Sequence, residues 1–141
     1  MNSSGTLLFQ NPQCGAQPLL PCGSTEYSGI TAPTIGPDGT IYTVTHTGLV
    51  YATNPTSGTS TLLYTVPSGS NTGIPNYPVV DANGNLYFGS ANTVEYAINK
   101  SGTLLWSYPT GGQIAEAASA LGPDGTLYFS SNDGYLYAIS R

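Results

Sequence analysis

Three segments of the chain repeat one another. Ala32-Pro33-Thr34-Ile35-Gly36-Pro37-Asp38-Gly39-Thr40-Ile41-Tyr42, followed by Thr47-Gly48-Leu49-Val50-Tyr51-Ala52, matches Tyr77-Pro78-Val79-Val80-Asp81-Ala82-Asn83-Gly84-Asn85-Leu86-Tyr87, followed by Val94-Glu95-Tyr96-Ala97. Both match Ser119-Ala120-Leu121-Gly122-Pro123-Asp124-Gly125-Thr126-Leu127-Tyr128, followed by Asp133-Gly134-Tyr135-Leu136-Tyr137-Ala138. Tyr42, Tyr87 and Tyr128 are 45 and 41 residues apart, and Tyr51, Tyr96 and Tyr137 keep the same intervals. A period of about 43 residues with this content is that of β-propeller blades, each a four-stranded sheet.

Within each repeat the pattern is that of strands. Asp38-Gly39, Asn83-Gly84 and Asp124-Gly125 read as tight hairpin turns, because glycine supplies the positive φ such turns need. Polar and apolar residues alternate after each turn, as in Thr40-Ile41-Tyr42-Thr43-Val44 and Thr126-Leu127-Tyr128-Phe129-Ser130. No window holds the i, i+3, i+4, i+7 spacing of an amphipathic helix, and Gln113 to Ala120, the best approximation, is short and runs into Gly122-Pro123. The repeated tyrosines are expected to pack between blades. The fold class expected is all-β: three blades of four antiparallel strands in one domain.

The fourth strands are offset along the chain. Gly102-Thr103-Leu104-Leu105-Trp106 closes the second repeat and Gly58 to Tyr64 the first, but the third repeat has no such segment after Ile139. Its counterpart is Gly5-Thr6-Leu7-Leu8-Phe9. Aligned this way, Trp106, Tyr64 and Phe9 occupy one repeated position. The expected organisation is a blade-completing strand at 4–10, an insertion at 11–29, and repeats at 30–66, 77–108 and 118–141. Closed propellers commonly have four to eight blades, so three leave an open arc with a bare strand edge. The expected partner is a second copy, its N-terminal strand completing the last blade in trans to make a six-bladed homodimer.

Composition narrows the function. Only 6% of the 141 residues are charged, and Lys100 and Arg141 are the only Lys or Arg. Phosphate neutralisation needs several basic groups, so nucleic-acid binding is excluded, as is a polybasic membrane patch. No apolar run approaches the roughly 20 residues of a membrane-spanning helix, so no membrane insertion is expected. Residues 1–5 have neither the basic nor the apolar region of a secretion signal. A surface built from Ser, Thr, Asn, Gln and Gly points to an extracellular or cell-envelope location.

Cys14 and Cys22 enclose seven residues, two of them proline. They can form a short disulfide loop, remain two thiols, or share a metal. Two cysteines with no nearby histidine do not complete a zinc site, and His46 is the only histidine. The expectation is an intrachain disulfide in an oxidising compartment. It would brace an insertion that makes this connection about a dozen residues longer than the others, worth about 2 kcal/mol for so small a ring.

Gly-Pro-Asp-Gly-Thr-(Ile/Leu)-Tyr, then Gly-x-(Leu/Val)-Tyr-Ala, then Gly-Thr-Leu-Leu-Trp resembles the repeat of quinoprotein-like propellers. That group includes the pyrroloquinoline-quinone dehydrogenases and the outer-membrane assembly scaffold lipoproteins. The resemblance implies the fold and leaves the function open, because one fold hosts many activities. The dehydrogenases of the group use seven or eight blades, Ca²⁺ held by Glu, Asn and Asp, and often an adjacent Cys-Cys pair. This chain has three repeats and no adjacent cysteines, and its carboxylates Glu26, Asp38, Asp81, Glu95, Glu116, Asp124 and Asp133 are scattered. Asp38, Asp81 and Asp124 read as turn residues. Asp81-Ala82-Asn83-Gly84-Asn85 offers oxygen donors for Ca²⁺ but lacks a later bidentate Glu. No cofactor and no metal site are expected.

In a propeller the connections from strand four to the next strand one, and from strand two to strand three, share one face. The residues expected there are Glu26, Tyr27, His46, Asn71, Asn76, Asn92, Gln113, Glu116, Asn132 and Asp133, with the cysteine insertion as the main contact region. Amides beside aromatics suit a glycan or peptide. His46 has no legible Ser-His-Asp partner. The expected function is therefore a non-enzymatic binding or scaffold module. The rival is a quinone-dependent or sugar-active enzyme formed by an assembled ring, or a fragment of a larger propeller. Asn2-Ser3-Ser4 and Asn99-Lys100-Ser101 match the glycosylation sequon.

Overall fold

The computed structural model describes residues 7–9, 31–67, 76–114 and 119–140. Cys14, Cys22, Glu26, Tyr27, Asn71 and Glu116 lie outside these, and with them the expected disulfide. The described residues form three antiparallel sheets with no helix. Sheet one contains β1 (Thr34–Ile35), β2 (Ile41–Val44), β3 (Leu49–Thr53) and β4 (Ser60–Thr65) in that order. Sheet two contains β5 (Val79–Val80), β6 (Leu86–Gly89), β7 (Val94–Ile98) and β8 (Leu104–Pro109). Sheet three contains β9 (Ala120–Leu121), β10 (Leu127–Ser130) and β11 (Leu136–Ile139), ordered in the same sense.

The repeat is a repeat of register. Tyr42 pairs with Ala52, Tyr87 with Ala97 and Tyr128 with Ala138. Each first turn carries a glycine with φ between +83° and +86°, Gly39, Gly84 and Gly125. The acids fix the same turns: Asp38 Oδ1 accepts from the Thr40 N–H at 3.0 Å, and Asp124 Oδ1 from the Thr126 N–H at 3.0 Å. In sheet two Asp81, two residues earlier, takes over. It accepts from the Asn83 and Asn85 N–H groups, Asn85 Nδ2 and the Tyr87 hydroxyl. Donors converge on this carboxylate, so it closes the turn.

Alternation along the strands sends successive side chains to opposite faces. Tyr42, Val44 and Val50 of sheet one meet Leu86, Phe88, Tyr96 and Ile98 of sheet two in one apolar layer. Tyr87 and Ala97, from the other face of sheet two, meet Leu127 and Phe129 in a second layer, joined at its margin by Tyr137 and Ile139. The expected packing of tyrosines between sheets is present: Tyr42 and Tyr87 are 2% and 4% exposed, but Tyr128, on the face of sheet three with no described sheet against it, is 39% exposed.

Trp106 and Tyr64, matched in the sequence, do not occupy one position in the sheets. Trp106 faces Ala97, whereas Tyr64 faces Val50, two residues before Ala52, the partner that corresponds to Ala97. The β3–β4 connection is one residue longer than β7–β8, and the sheets are bulged at different points, between Val50 and Tyr51 in one and between Ala97 and Ile98 in the other. The counterpart of Tyr64 is Tyr108, opposite Glu95. Their neighbours agree: Tyr64 lies against Phe88 and Tyr96, Tyr108 against Tyr137, and Trp106 against Tyr87 of its own sheet.

The β6–β7 turn departs from its counterparts in one residue. Gly48 and Gly134 have φ of +84° and +90°, and Thr93 occupies the same place at +71°. A β-branched residue there is strained by about 1–2 kcal/mol. Thr93→Gly is expected to stabilise the protein by about 1 kcal/mol after the entropic penalty of glycine, read as a higher urea midpoint at unchanged slope.

Candidate binding rim and the buried acid beneath it

The β2–β3, β6–β7 and β10–β11 turns are built alike. Thr45, Ser90 and Ser131 each donate their N–H across the turn to Leu49, Val94 and Tyr135, and their carbonyls accept from Gly48, Thr93 and Gly134. All three side chains are buried. The next residues, His46, Ala91 and Asn132, differ, and His46 and Asn132 are exposed. A constant frame thus presents variable side chains along one rim.

The connections after the fourth strands run beside these turns. The Val66 N–H donates to Gly48, the Thr110 N–H to Thr93 and the Ile114 N–H to Ser90. The connection from sheet two then crosses to sheet three. Asn132 N–H donates to the Gln113 carbonyl at 2.9 Å, Ser131 Oγ donates to the Gly112 carbonyl at 3.0 Å, and Asp133 Oδ2 accepts from the Gly111 N–H at 2.8 Å. Gln113, Asn132 and Asp133, expected from sequence to share a face, are brought together. Burial works to raise the Asp133 carboxyl. Hydrogen bonds from the Tyr137 hydroxyl at 2.7 Å and the Tyr135 and Gly111 N–H groups outweigh it and hold the group below its ordinary value. Asn92, at the matching place in sheet two, donates from Nδ2 to the Tyr96 hydroxyl at 2.8 Å. His46 stands on the adjoining turn.

Asn76 does not reach the surface. It is fully buried, with neither side-chain amide atom hydrogen-bonded. Gly89 makes room for it: an added Cβ there would overlap Ile114 and lie 2.8 Å from Asn76 Nδ2. Glu95 is the cross-strand partner of Gly89, so its side chain rises from the same face. It too is fully buried; Oε1 accepts from Ser119 Oγ at 3.1 Å and Oε2 has no partner. Burial pushes its carboxyl up to about 8, against the small opposing effect of the Ser119 hydrogen bond. A neutral carboxylic acid is therefore held between sheets two and three. In the sequence Glu95 is one of seven scattered carboxylates. The available signal was positional: sheets one and three carry Val50 and Leu136 there.

Among the described residues no group of three or more His, Cys, Asp or Glu is arranged to hold a metal ion. No described helix is long and apolar enough to cross a membrane. A shallow concavity of about 300 Å³ lies on the opposite rim, between the β5–β6 and β9–β10 turns.

No protein-family model matches the chain, and no curated protein shows significant similarity to it. Solved structures do share its fold. A virginiamycin B lyase from Staphylococcus aureus superposes with a TM-score of 0.61 at 17% identity, over 81% of this chain and 42% of the lyase. The WD40 β-propeller domain of Doa1 gives 0.61 at 16%, over 82% of this chain and 41% of that one. BamB from Moraxella catarrhalis gives 0.58 at 20%, over 77% and 32%. The chain thus spans less than half the length of these proteins, and its three sheets are propeller-like.

Proposed function

We propose that the chain is a non-enzymatic binding or scaffold module of quinoprotein-like propeller repeats, acting outside the cytoplasm on a glycan or peptide. The observation that carries this reading is the rim. Three turns with one backbone hydrogen-bond frame present His46, Asn92, Asn132 and Asp133 beside the connection through Gln113. A rigid frame with variable polar positions is how loops on a scaffold recognise ligands. The low charge and amide-rich surface support a location in the envelope or beyond it.

Glycan and peptide arrays probed with the purified protein test the reading. A ligand class is expected to bind, and His46→Ala with Asn132→Ala to weaken it at least about tenfold, about 1.4 kcal/mol, without changing the melting temperature. Binding unaffected by the rim variants, or quinone-dependent oxidation of a sugar or alcohol, would overturn it.

A further inference from the structure

We propose that the open side of sheet three is a docking surface for a second copy of this chain, whose residues 7–9 add to β11 as its fourth strand. Position by position, sheet three exposes what the other sheets bury. Val50 and Glu95 are each 0% exposed, and their counterpart Leu136 is 74% exposed. Tyr128 shows the same contrast with Tyr42 and Tyr87. Among the described residues β11 has β10 on one edge and no strand on the other, whereas β3 and β7 have β4 and β8.

The same chain carries a strand-like segment with no sheet of its own. Gly102, in the β7–β8 turn, presses on β4 at Leu63, so that side of the turn faces the preceding sheet. Gly58, in the corresponding β3–β4 turn, presses on Phe9. Residues 7–9 therefore lie where the outermost strand of a preceding sheet belongs. Leu7 and Leu8 are 75% and 86% exposed. Gly5-Thr6-Leu7-Leu8-Phe9 also repeats Gly102-Thr103-Leu104-Leu105-Trp106. Ile98 faces Leu104 and Ala97 faces Trp106 across a bulge, so the register in trans is Ile139 opposite Leu7 and Ala138 opposite Phe9.

A second copy is thus the occupant that continues an interface the chain already uses twice, sheet one on sheet two and sheet two on sheet three. A two-fold arrangement satisfies both open sides at once and gives six sheets, within the range of closed propellers. Exposed β-edges are strong templates for this kind of pairing.

The test is mass by light scattering at micromolar concentration, with two variants. The chain is expected at twice 14.6 kDa. Leu7→Pro/Leu8→Pro, which removes both N–H groups outside the three sheets, and Leu136→Asp, at an exposed position, are each expected to weaken the dimer at least about tenfold with unchanged circular dichroism. A monomeric parent, an open-ended ladder of masses, or a dimer that both folded variants leave intact would overturn the proposal.

Discussion

Stability is expected to fall by a few kcal/mol as pH rises from about 5 to about 8, and Glu95→Gln to remove most of that fall. Burial holds the Glu95 carboxyl at about 8 in the folded protein, against 4.5 for the free group. Below pH 4.5 both states bind the proton. Above it the unfolded chain releases the proton and the folded one keeps it, so the unfolded state is lowered relative to the folded one with each pH unit until the folded acid also ionises. A raised carboxyl thus destabilises progressively across this window and levels off above it. At about 1.4 kcal/mol per unit the gap sets a ceiling near 5 kcal/mol, and local relaxation brings it towards about 3. For a chain of this size that is roughly 10 °C in melting temperature. Gln keeps the shape and cannot ionise, so Glu95→Gln is expected to melt higher than the parent at pH 8 and nearly level with it at pH 5. Parallel melting curves for parent and variant across this range would show that Glu95 is not held neutral.

Gly102→Ala is expected to destabilise the protein by about 3 kcal/mol or more, and Gly134→Ala by about 1. Both glycines have positive φ, +82° and +90°, so both substitutions carry the left-handed penalty. Only Gly102 is crowded. A Cβ there would overlap the Leu63 carbonyl oxygen and sit 2.9 Å from its carbonyl carbon, whereas nothing lies within 4 Å of the position at Gly134. The obstruction at Gly102 is the backbone of β4, which cannot yield without separating sheet two from sheet one. Urea unfolding of the two variants beside the parent measures the difference. Equal losses would mean that the β7–β8 turn does not press on sheet one.

The turns and tyrosines were legible because each is set by one residue in local sequence. Asp38-Gly39 and Asp124-Gly125 give their turn chemistry directly, and Tyr42, Tyr87 and Tyr128 keep their spacing whatever surrounds them. The register of the fourth strands is not legible in sequence because a bulge is a property of a strand pair. Leu62-Leu63-Tyr64 and Leu104-Leu105-Trp106 look alike, yet one extra turn residue and a displaced bulge put Tyr64 in the place of Tyr108. Asn76 reads as a loop amide, and only the packing of Ile114 over Gly89 shows that it is enclosed. The charge of Glu95, taken alone, argues for solvent. Its repeat position, shared with Val50, argues for the interior, and position decides. Of the rim, Gln113, Asn132 and Asp133 were legible from repeat topology, but the hydrogen bonds that tie them to sheet two depend on the path of residues 110–113 between sheets.

If the repeats stack as consecutive propeller sheets in this register, ring-to-ring nuclear Overhauser effects report the stacking pair by pair. Contacts are expected of Tyr64 with Phe88 and Tyr96, of Tyr108 with Tyr137, and of Trp106 with Tyr87, at ring separations of 5.8–6.3 Å. Absence of the Tyr64–Tyr96 and Tyr108–Tyr137 contacts, or a contact of Trp106 with Tyr137 in place of Tyr108, would contradict that stacking.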